Sequence, residues 1–163
     1  MTIVASILHP MPGQRKSREL ALQTLFAWDA HGERDDTLAT QILNDSADDP
    51  DIRRRARDFA IGAWDGRAVS DQWVERLAPQ WPPRRQPGVD RNIIRLAIHE
   101  ITSGQTPPKV AIDEAIELAK IFSTENSPAF VNGVLDAVLK EHETLTGKSE
   151  TGNPKSETNP NIE

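Results

Sequence analysis

Residues 108–136 read PKVAIDEAIELAKIFSTENSPAFVNGVLD, and this stretch decides the fold. Apolar residues recur in it every three to four positions, which is the period of an amphipathic α-helix. The Ser127-Pro128 pair interrupts this pattern with a helix start, because serine caps helices and proline fits the first helical turn. The stretch therefore predicts two consecutive helices, the second of which continues to about residue 143. The apolar positions are Ala111, Ile112, Ala115, Ile116, Ala119 and Phe122, followed by Val131, Val134, Leu135, Val138 and Leu139.

Five further segments with helical periodicity precede this stretch. The first spans about residues 13–30, and the second, which is weaker, spans residues 37–43. The fifth is apolar nearly all round and ends at Gly104, so it predicts a helix buried at the centre of the fold. Because no pattern of period two has useful length, the sequence predicts an all-α protein of about seven helices. Four residues are expected to be N-caps: Asp51, Ser70, Asp90 and Ser127.

Proline-rich residues 81–88 form the strongest internal boundary, because proline interrupts helices. We expect one helical domain over residues 13–143, with subdomains at roughly 13–81 and 89–143. Residues 1–12 are interpreted as a flexible extension. Residues 144–163 are polar and almost free of apolar side chains, which predicts a disordered tail.

The composition excludes several classes of protein. The 163 residues contain no cysteine, so disulfides and thiolate chemistry are excluded. The opening residues lack the basic region of a signal peptide, and no apolar run is long enough to cross a bilayer, which favours the cytoplasm. The net charge of −6 argues against indiscriminate coating of nucleic acid, although bases cluster at residues 15–18 and 53–57.

The sequence gives no pattern typical of a catalytic, metal or cofactor site. The four histidines are scattered, and phosphate-binding glycine loops are absent. Asp113, Glu114 and Glu117 place three carboxylates within about one helical turn, as a general acid/base pair would require. They also lie early in a predicted helix, where the helix dipole favours acidic residues. We favour the structural interpretation, and expect neither catalysis nor a cofactor.

Three segments together resemble the NusB family of transcription antitermination factors. They are RKSRELALQTLFAW at 15–28, VDRNIIRLAIHE at 89–100, and the stretch at 108–136. The last is the most specific, since it is similar nearly residue by residue. The resemblance covers about residues 15–141 in order, although residues 37–87 are similar in pattern more than in identity.

The resemblance implies a fold of three helices followed by four, in two packed subdomains. It also implies a function, since members of the family bind the boxA element of nascent RNA together with NusE, a protein of the small ribosomal subunit. That complex joins RNA polymerase and supports antitermination, notably in ribosomal RNA synthesis. Single-stranded boxA-like RNA, NusE and the RNA polymerase complex are therefore the expected partners.

The resemblance assigns RNA contact to both the first and the last helix. A short basic cluster is by itself more often a solvated helix end, and an aromatic residue is more often part of the core. In the family context, we expect basic side chains of the first helix to meet the RNA backbone, and an aromatic side chain of the last helix to stack on a base. The expected RNA-binding residues are Arg15, Lys16, Arg18, Asn126, Ser127 and Phe130.

Two positions match those that the family uses against NusE, namely Phe26 and Asp90. Phe26 could equally be a core residue, and Asp90 an N-cap. The sequence also departs from the family near the last helix, with Asn126 where aspartate is common and Ala129 where lysine is common. The first change removes a charge that repels phosphate, and the second removes one that attracts it.

Two other functions are compatible with a NusB-like fold. Related domains precede the catalytic domain of RNA cytosine methyltransferases, but that arrangement needs a following Rossmann-type domain. A protein-interaction module without RNA binding would suit the acidic balance of the chain. The basic residues at 15–18 favour RNA binding over this last alternative.

Overall fold

The computed structural model describes residues 14–147, which fold as seven α-helices and one short 3₁₀ turn. Within that range there is no β-strand, so the all-α prediction is confirmed. No helix of the described range is long and apolar enough to cross a membrane. The helices are α1 Gln14–His31, α2 Asp36–Ser46, α3 Pro50–Asp65, α4 Arg67–Leu77, α5 Gly88–Ser103, α6 Pro108–Phe122 and α7 Ser127–Thr146, and the 3₁₀ turn Pro83–Arg85 precedes α5.

Helix α5 is the centre of the fold, as its all-round apolar sequence predicts. It packs against α1, α3, α4, α6 and α7. One continuous cluster of buried side chains extends from α1 through α5 to α7, across both predicted subdomains. Burial of such a cluster is the main force that holds the helices together. The buried residues that α5 supplies are Ile93, Ile94, Leu96, Ala97, Ile98 and Ile101.

The helix starts differ from the sequence-based prediction, and none of the four expected N-caps acts as one. Helix α3 begins at Pro50, and the carboxylate of Asp49 accepts a hydrogen bond of 2.8 Å from the backbone N–H of Asp51. Helix α4 begins at Arg67 without a side-chain cap, which leaves Ser70 buried inside it. The physical reason at α3 and α5 is proline, whose fixed φ suits the residues at or just before the first turn and shifts the start upstream.

Helix α7 extends beyond the predicted end of the domain at residue 143, because it continues to Thr146. Gly147 follows it as the C-cap, in the left-handed conformation. The predicted tail boundary at residue 144 is therefore three residues too early. The rest of the predicted tail, from 148 onward, and the predicted extension at 1–12 lie outside the described residues. At Gly133, inside α7, no other element lies within 4 Å of where a Cβ would be.

Buried charges surround the N-terminal half of α5. Arg95 is 6% exposed and donates to both oxygens of Asp71, at 2.8 and 2.6 Å. Asp29 of α1 receives hydrogen bonds from Arg91 and Asn92 and lies 3.1 Å from a nitrogen of Arg95. Burial alone would raise the pKa of Asp29, but the hydrogen bonds from Arg91 and Arg95 outweigh it and hold the pKa below its usual value. These ion pairs fix α1 and α4 against α5.

A second close contact joins α3 and α5 at Gly62 and His99. A Cβ atom at position 62 would lie 2.1 Å from Cε1 of the His99 ring, so glycine is required for this approach. The ring lines a small cavity of about 170 Å³ together with Ser70 and Trp73. Burial lowers the pKa of the imidazole, and the neighbouring Glu100 carboxylate opposes this only in part.

This lowered pKa predicts a pH dependence of stability. In the unfolded chain, His99 binds a proton near its ordinary pKa of about 6.5, whereas the folded protein binds it only at lower pH. The free energy of unfolding should therefore fall as the pH falls below about 6.5, down to the lowered pKa of the folded state. Urea unfolding at pH 7.5 and 5.5 measures the difference in the free energy of unfolding between the two pH values. This difference should be smaller in His99→Gln than in the wild type. An equal difference in the two proteins would show that His99 does not cause the pH dependence.

Candidate nucleic-acid interface

The basic end of α1 divides into exposed and buried residues. Lys16 is exposed and has no ion pair among residues 14–147. The side chain of Arg15 is 55% exposed, and its guanidinium donates to both oxygens of Glu114 in α6, at 3.1 and 3.0 Å. Arg18 is only 2% exposed, so an RNA backbone has no access to it. Arg18 was predicted to contact RNA, but its side chain points inward, so Arg15 and Lys16 are the bases of this helix end that solvent reaches.

The buried guanidinium of Arg18 is matched by Glu100 of α5. Two nitrogens of Arg18 donate to one carboxylate oxygen of Glu100, at 2.9 and 2.7 Å. The hydroxyl of Thr106 donates to the same oxygen at 2.8 Å, and the guanidinium lies 5.6 Å from the centre of the Phe59 ring. Arg18 therefore anchors the first turn of α1 to α5 and to the start of α6.

The first turn of α1 also touches the start of α3. The hydroxyl of Ser17 donates to the carbonyl oxygen of Ile52 at 3.1 Å. This contact places the arginines at 53–57 at the same end of the molecule as Lys16. Arg53 donates to the carbonyl oxygen of Ala47, and Arg54 lies 3.3 Å from the carboxylate of Asp51 in the first turn of α3, so part of this cluster is used within the protein.

At the start of α7, Asn126 is exposed and Ser127 is 2% exposed. The Ser127 hydroxyl donates to Asp90 at 2.9 Å, and the Ser123 hydroxyl donates to the other oxygen of the same carboxylate. The expected phosphate contact by the Ser127 side chain is therefore corrected, because this hydroxyl is used inside the protein. Asn126 makes no side-chain cap, and α7 has no acidic residue in its first turn. The positive end of its dipole is thus not neutralised by the helix itself.

Asp90 lies in the first turn of α5 and is 4% exposed. Its hydrogen bonds with Ser123 and Ser127 tie together the starts of α5 and α7 and the end of α6. The N-cap prediction for Asp90 is wrong, because Pro87 occupies the N-cap position of α5 and the Asp90 carboxylate faces the interior. Asp90 positions the surrounding helix ends.

Phe26 is 45% exposed and lies beside the start of α5. Its ring would be 3.1 Å from a Cβ at position 88, so Gly88 allows the ring to approach the backbone closely. Phe26 lines an apolar groove of about 250 Å³ between α1, α5 and α6. The core alternative for Phe26 is not what the structure shows. The other residues of this α1/α6 groove are Leu22, Gln23, Val89 and Phe122.

Phe130 is half-buried on the first turn of α7 and packs against the core at one edge. Its free side lines a larger groove of about 710 Å³, opposite residues 77–81 at the end of α4. Trp81, which is 51% exposed, also lines this groove. Two aromatic side chains therefore lie at one opening, an arrangement that suits a flat apolar group.

The two predicted RNA regions lie at different places along α6. Arg15 meets Glu114 at the middle of this helix, whereas Ser127 meets Ser123 just beyond its end. At a rise of 1.5 Å per residue, the two points are about 14 Å apart along the helix axis. A stacked strand rising about 3.4 Å per nucleotide would cover that distance in about four nucleotides. The two regions are therefore separated along α6.

Comparison with known proteins identifies the family of this fold. The model of the NusB family matches residues 15–140, which is most of the chain. The chain belongs to the NusB family. The transcription antitermination protein NusB of Solibacter usitatus is 43% identical over 133 residues, which are 80% of this chain and 91% of that protein.

Solved NusB structures share the fold. NusB of T. maritima is 35% identical, has a TM-score of 0.69, and is matched over 82% of this chain and 94% of its own. A crystal structure of the antitermination factors NusB and NusE in complex with double-stranded RNA is 25% identical, with a TM-score of 0.73, over 81% of this chain and 99% of that chain. The resemblance found in the sequence is therefore confirmed.

Three features of this NusB-family site are not evident from sequence reasoning. Trp81 lies in the loop after α4, because this helix ends at Leu77. Phe122 was counted in the buried stripe of α6, yet it is 37% exposed and lines the α1/α6 groove. Glu114 was interpreted as a dipole partner, whereas it binds Arg15. For Trp81, the prolines at 79, 82 and 83 were the available signal for an early helix end.

Proposed function

We propose that this protein is a transcription antitermination factor that binds boxA-type RNA together with NusE and supports transcription of ribosomal RNA within the RNA polymerase complex. The observation that carries the proposal is the pair of distinct surfaces on one NusB fold. One surface comprises the exposed bases of α1 and the aromatic groove beside Phe130, and the other is the apolar α1/α6 groove. We also infer that the protein acts by binding, without catalysis, and in the cytoplasm, as expected for a factor of this family.

The cationic contacts are proposed for Lys16 and Arg15, the two exposed bases of the first turn of α1. Cations at this place neutralise backbone phosphates, and each neutralised phosphate of a single strand adds about 0.7 to the salt dependence of binding. The start of α7 has no side-chain cap beside Asn126, and the positive end of the helix dipole favours a further phosphate there. Arg18, Ser127 and Asp90 are proposed to hold these contacts in place from inside.

Base recognition is proposed for the groove that Phe130 lines with Trp81. Unpaired RNA bases are bound mainly by stacking on aromatic rings and by hydrogen bonds to their edges. A duplex keeps its bases stacked on each other, so this groove favours a single strand. The amide of Asn126, at the start of the same helix, is exposed for such hydrogen bonds.

The experiment that tests the proposed function is a titration of labelled boxA-like RNA with and without NusE. We expect weak binding alone and tighter binding with NusE, since two partial surfaces then hold one ligand. A scrambled RNA and the annealed duplex of the same sequence are the controls, and both should bind more weakly. Equal binding of all three RNAs, unaffected by NusE, would contradict the proposal.

The partner surface predicts that Phe26→Ala weakens NusE binding without unfolding the protein. Phe26 is 45% exposed, so its loss leaves no large internal cavity and stability should change little. Anchoring aromatic residues of interfaces commonly contribute 2 kcal/mol or more, so we expect a loss of about thirtyfold or more in affinity, measured by calorimetry. Leu145→Ala, at an exposed apolar residue on α7, is the matched control. Unchanged affinity of Phe26→Ala for NusE would show that NusE does not bind at this groove.

A further inference from the structure

The ion pair between Arg15 and Glu114 lies inside the proposed RNA surface. Both nitrogens at the fork of the guanidinium donate to Glu114, one to each carboxylate oxygen, at 3.1 and 3.0 Å. The Glu114 side chain is only 18% exposed, whereas that of Arg15 is 55% exposed. A nitrogen of the buried Arg18 lies 4.0 Å from the same carboxylate and helps to hold it. The carboxylate is thus the fixed member of the pair, and Arg15 is the member that solvent reaches.

A phosphate and a carboxylate compete for the same donors of an arginine. Each of these anions has two oxygens that can accept two parallel N–H bonds from the guanidinium fork. While Glu114 holds the Nε–Nη2 edge of Arg15, only the Nη1 side remains for a phosphate, which would then lie beside the Glu114 carboxylate and be repelled by it. Lys16, by contrast, has no ion pair within residues 14–147 and is ready for a phosphate.

The local balance of charge strengthens this competition. Glu19, Glu114 and Glu117 all lie close enough to act on the charge of Arg15, and they raise its pKa. A polyanion that reaches this end of α1 therefore meets acidic groups as well as bases. Charge alone gives it little affinity, and contacts elsewhere on the RNA must contribute before the Arg15–Glu114 pair opens.

We propose that Glu114 is a specificity-determining residue, which holds Arg15 in a carboxylate pair that only an RNA bound also through its other contacts displaces. This inference rests on the proposed RNA-binding function. It makes Glu114 an internal competitor that lowers affinity for all RNAs and thereby suppresses binding of weakly matched ones. Removing the competitor should raise affinity, which is the opposite of what loss of an RNA-contacting residue does.

The direct test is Glu114→Gln, measured by titration of boxA-like and scrambled RNA in the presence of NusE. An exposed ion pair of this kind is worth a factor of about two to five in an equilibrium constant, so the affinity should rise two- to fivefold. The ratio of affinities for boxA-like and scrambled RNA should fall. Asp113→Asn is the matched control, since Asp113 is the exposed neighbour on α6 and loses the same charge without any ion pair in the described structure.

A second variant separates the contact from the charge. Glu114→Asp keeps the negative charge but shortens the side chain by one methylene, which breaks the bidentate geometry with Arg15. It should also raise RNA affinity, although the net charge is unchanged. In a protein that also carries Arg15→Ala, Glu114→Gln should raise RNA affinity no more than Asp113→Asn does, because the guanidinium for which Glu114 and the phosphate compete is gone.

The outcomes distinguish this inference from the function on which it rests. If the wild-type protein binds RNA and Glu114→Gln raises the RNA affinity no more than Asp113→Asn does, the inference is overturned and the proposed function stands. If Arg15→Ala binds like wild type, Arg15 makes no RNA contact and the inference also fails. If wild type shows no binding to boxA-like RNA with NusE present, both fail together. Stronger binding by Glu114→Gln and Glu114→Asp, lost in the Arg15→Ala background, supports the inference.

Discussion

Replacement of Glu100 by alanine should destabilise the protein by about 3–5 kcal/mol, because it leaves a buried guanidinium without its counter-charge. Arg18 is 2% exposed and donates two hydrogen bonds to Glu100, which is itself 1% exposed. The Thr106 hydroxyl loses its acceptor in the same variant. Urea unfolding followed by circular dichroism at pH 7 measures the change.

Two further variants test whether the unpaired buried charge of Arg18 causes this loss of stability. Replacing both members of the pair, as Arg18→Met with Glu100→Leu, should cost less than Glu100→Ala alone, because no buried charge remains unpaired. Glu117→Ala removes a more exposed pair with Lys120 on α6 and should change stability by less than about 0.5 kcal/mol. If Glu100→Ala were as stable as Glu117→Ala, Arg18 would be free to turn outward, and its assignment as an internal anchor would be wrong.

Replacement of Asp90 by alanine is expected to lower the free energy of unfolding by the second largest amount. Its carboxylate accepts hydrogen bonds from Ser123 and Ser127, and each such bond to a charged acceptor contributes about 1.5–3 kcal/mol. We expect a loss of about 3 kcal/mol in the free energy of unfolding, measured by urea titration. Weaker RNA binding should accompany it, because the start of α7 loses its anchor.

The variant Asp90→Asn separates the internal role from a partner contact. Asparagine keeps one acceptor oxygen, so its stability should lie between those of wild type and Asp90→Ala. If Asp90 instead met NusE directly, Asp90→Asn would weaken NusE binding while stability stayed at the wild-type value. That pattern would return Asp90 to the partner surface.

The fold was accessible from the sequence because it depends on apolar periodicity. All seven helices were predicted, and the all-round apolar character of residues 93–101 gave α5 its central position. Helix starts were predicted less well, since a side chain that suits an N-cap does not fix where the backbone turns. At α3, Asp49 and not Asp51 is the cap, because Pro50 takes the first helical position.

The inward direction of three site residues had a signal in the sequence. Arg18 precedes the buried Leu22 and Leu25 by four and seven positions, which places it on the same helical stripe. Ser127 stands in the same relation to Val131 and Val134, and Asp90 to Ile94 and Ala97. A polar residue on a buried stripe is expected to be paired inside the protein.

The partners of these residues were not accessible from the sequence. Glu100 lies 82 positions after Arg18, and Glu114 lies 99 positions after Arg15. Several acidic residues would have satisfied either arginine, and only the packing of α1 against α5 and α6 selects among them. For the same reason, the sequence joined the basic cluster and Phe130 into one surface, whereas the helix packing separates them along α6.

The central claim, that exposed bases of α1 bind the RNA backbone, is tested most directly by the salt dependence of RNA binding. Affinity for boxA-like RNA with NusE present is measured at several salt concentrations, for wild type and for the double variant Arg15→Ala/Lys16→Ala. The control Arg34→Ala/Lys140→Ala loses the same charge at other places on the surface. We predict weaker binding and a slope of log K against log salt that is shallower by about 1.4 in the first variant, the value for two phosphates. An unchanged slope and affinity in that variant, or an equal change in the control, would contradict the account.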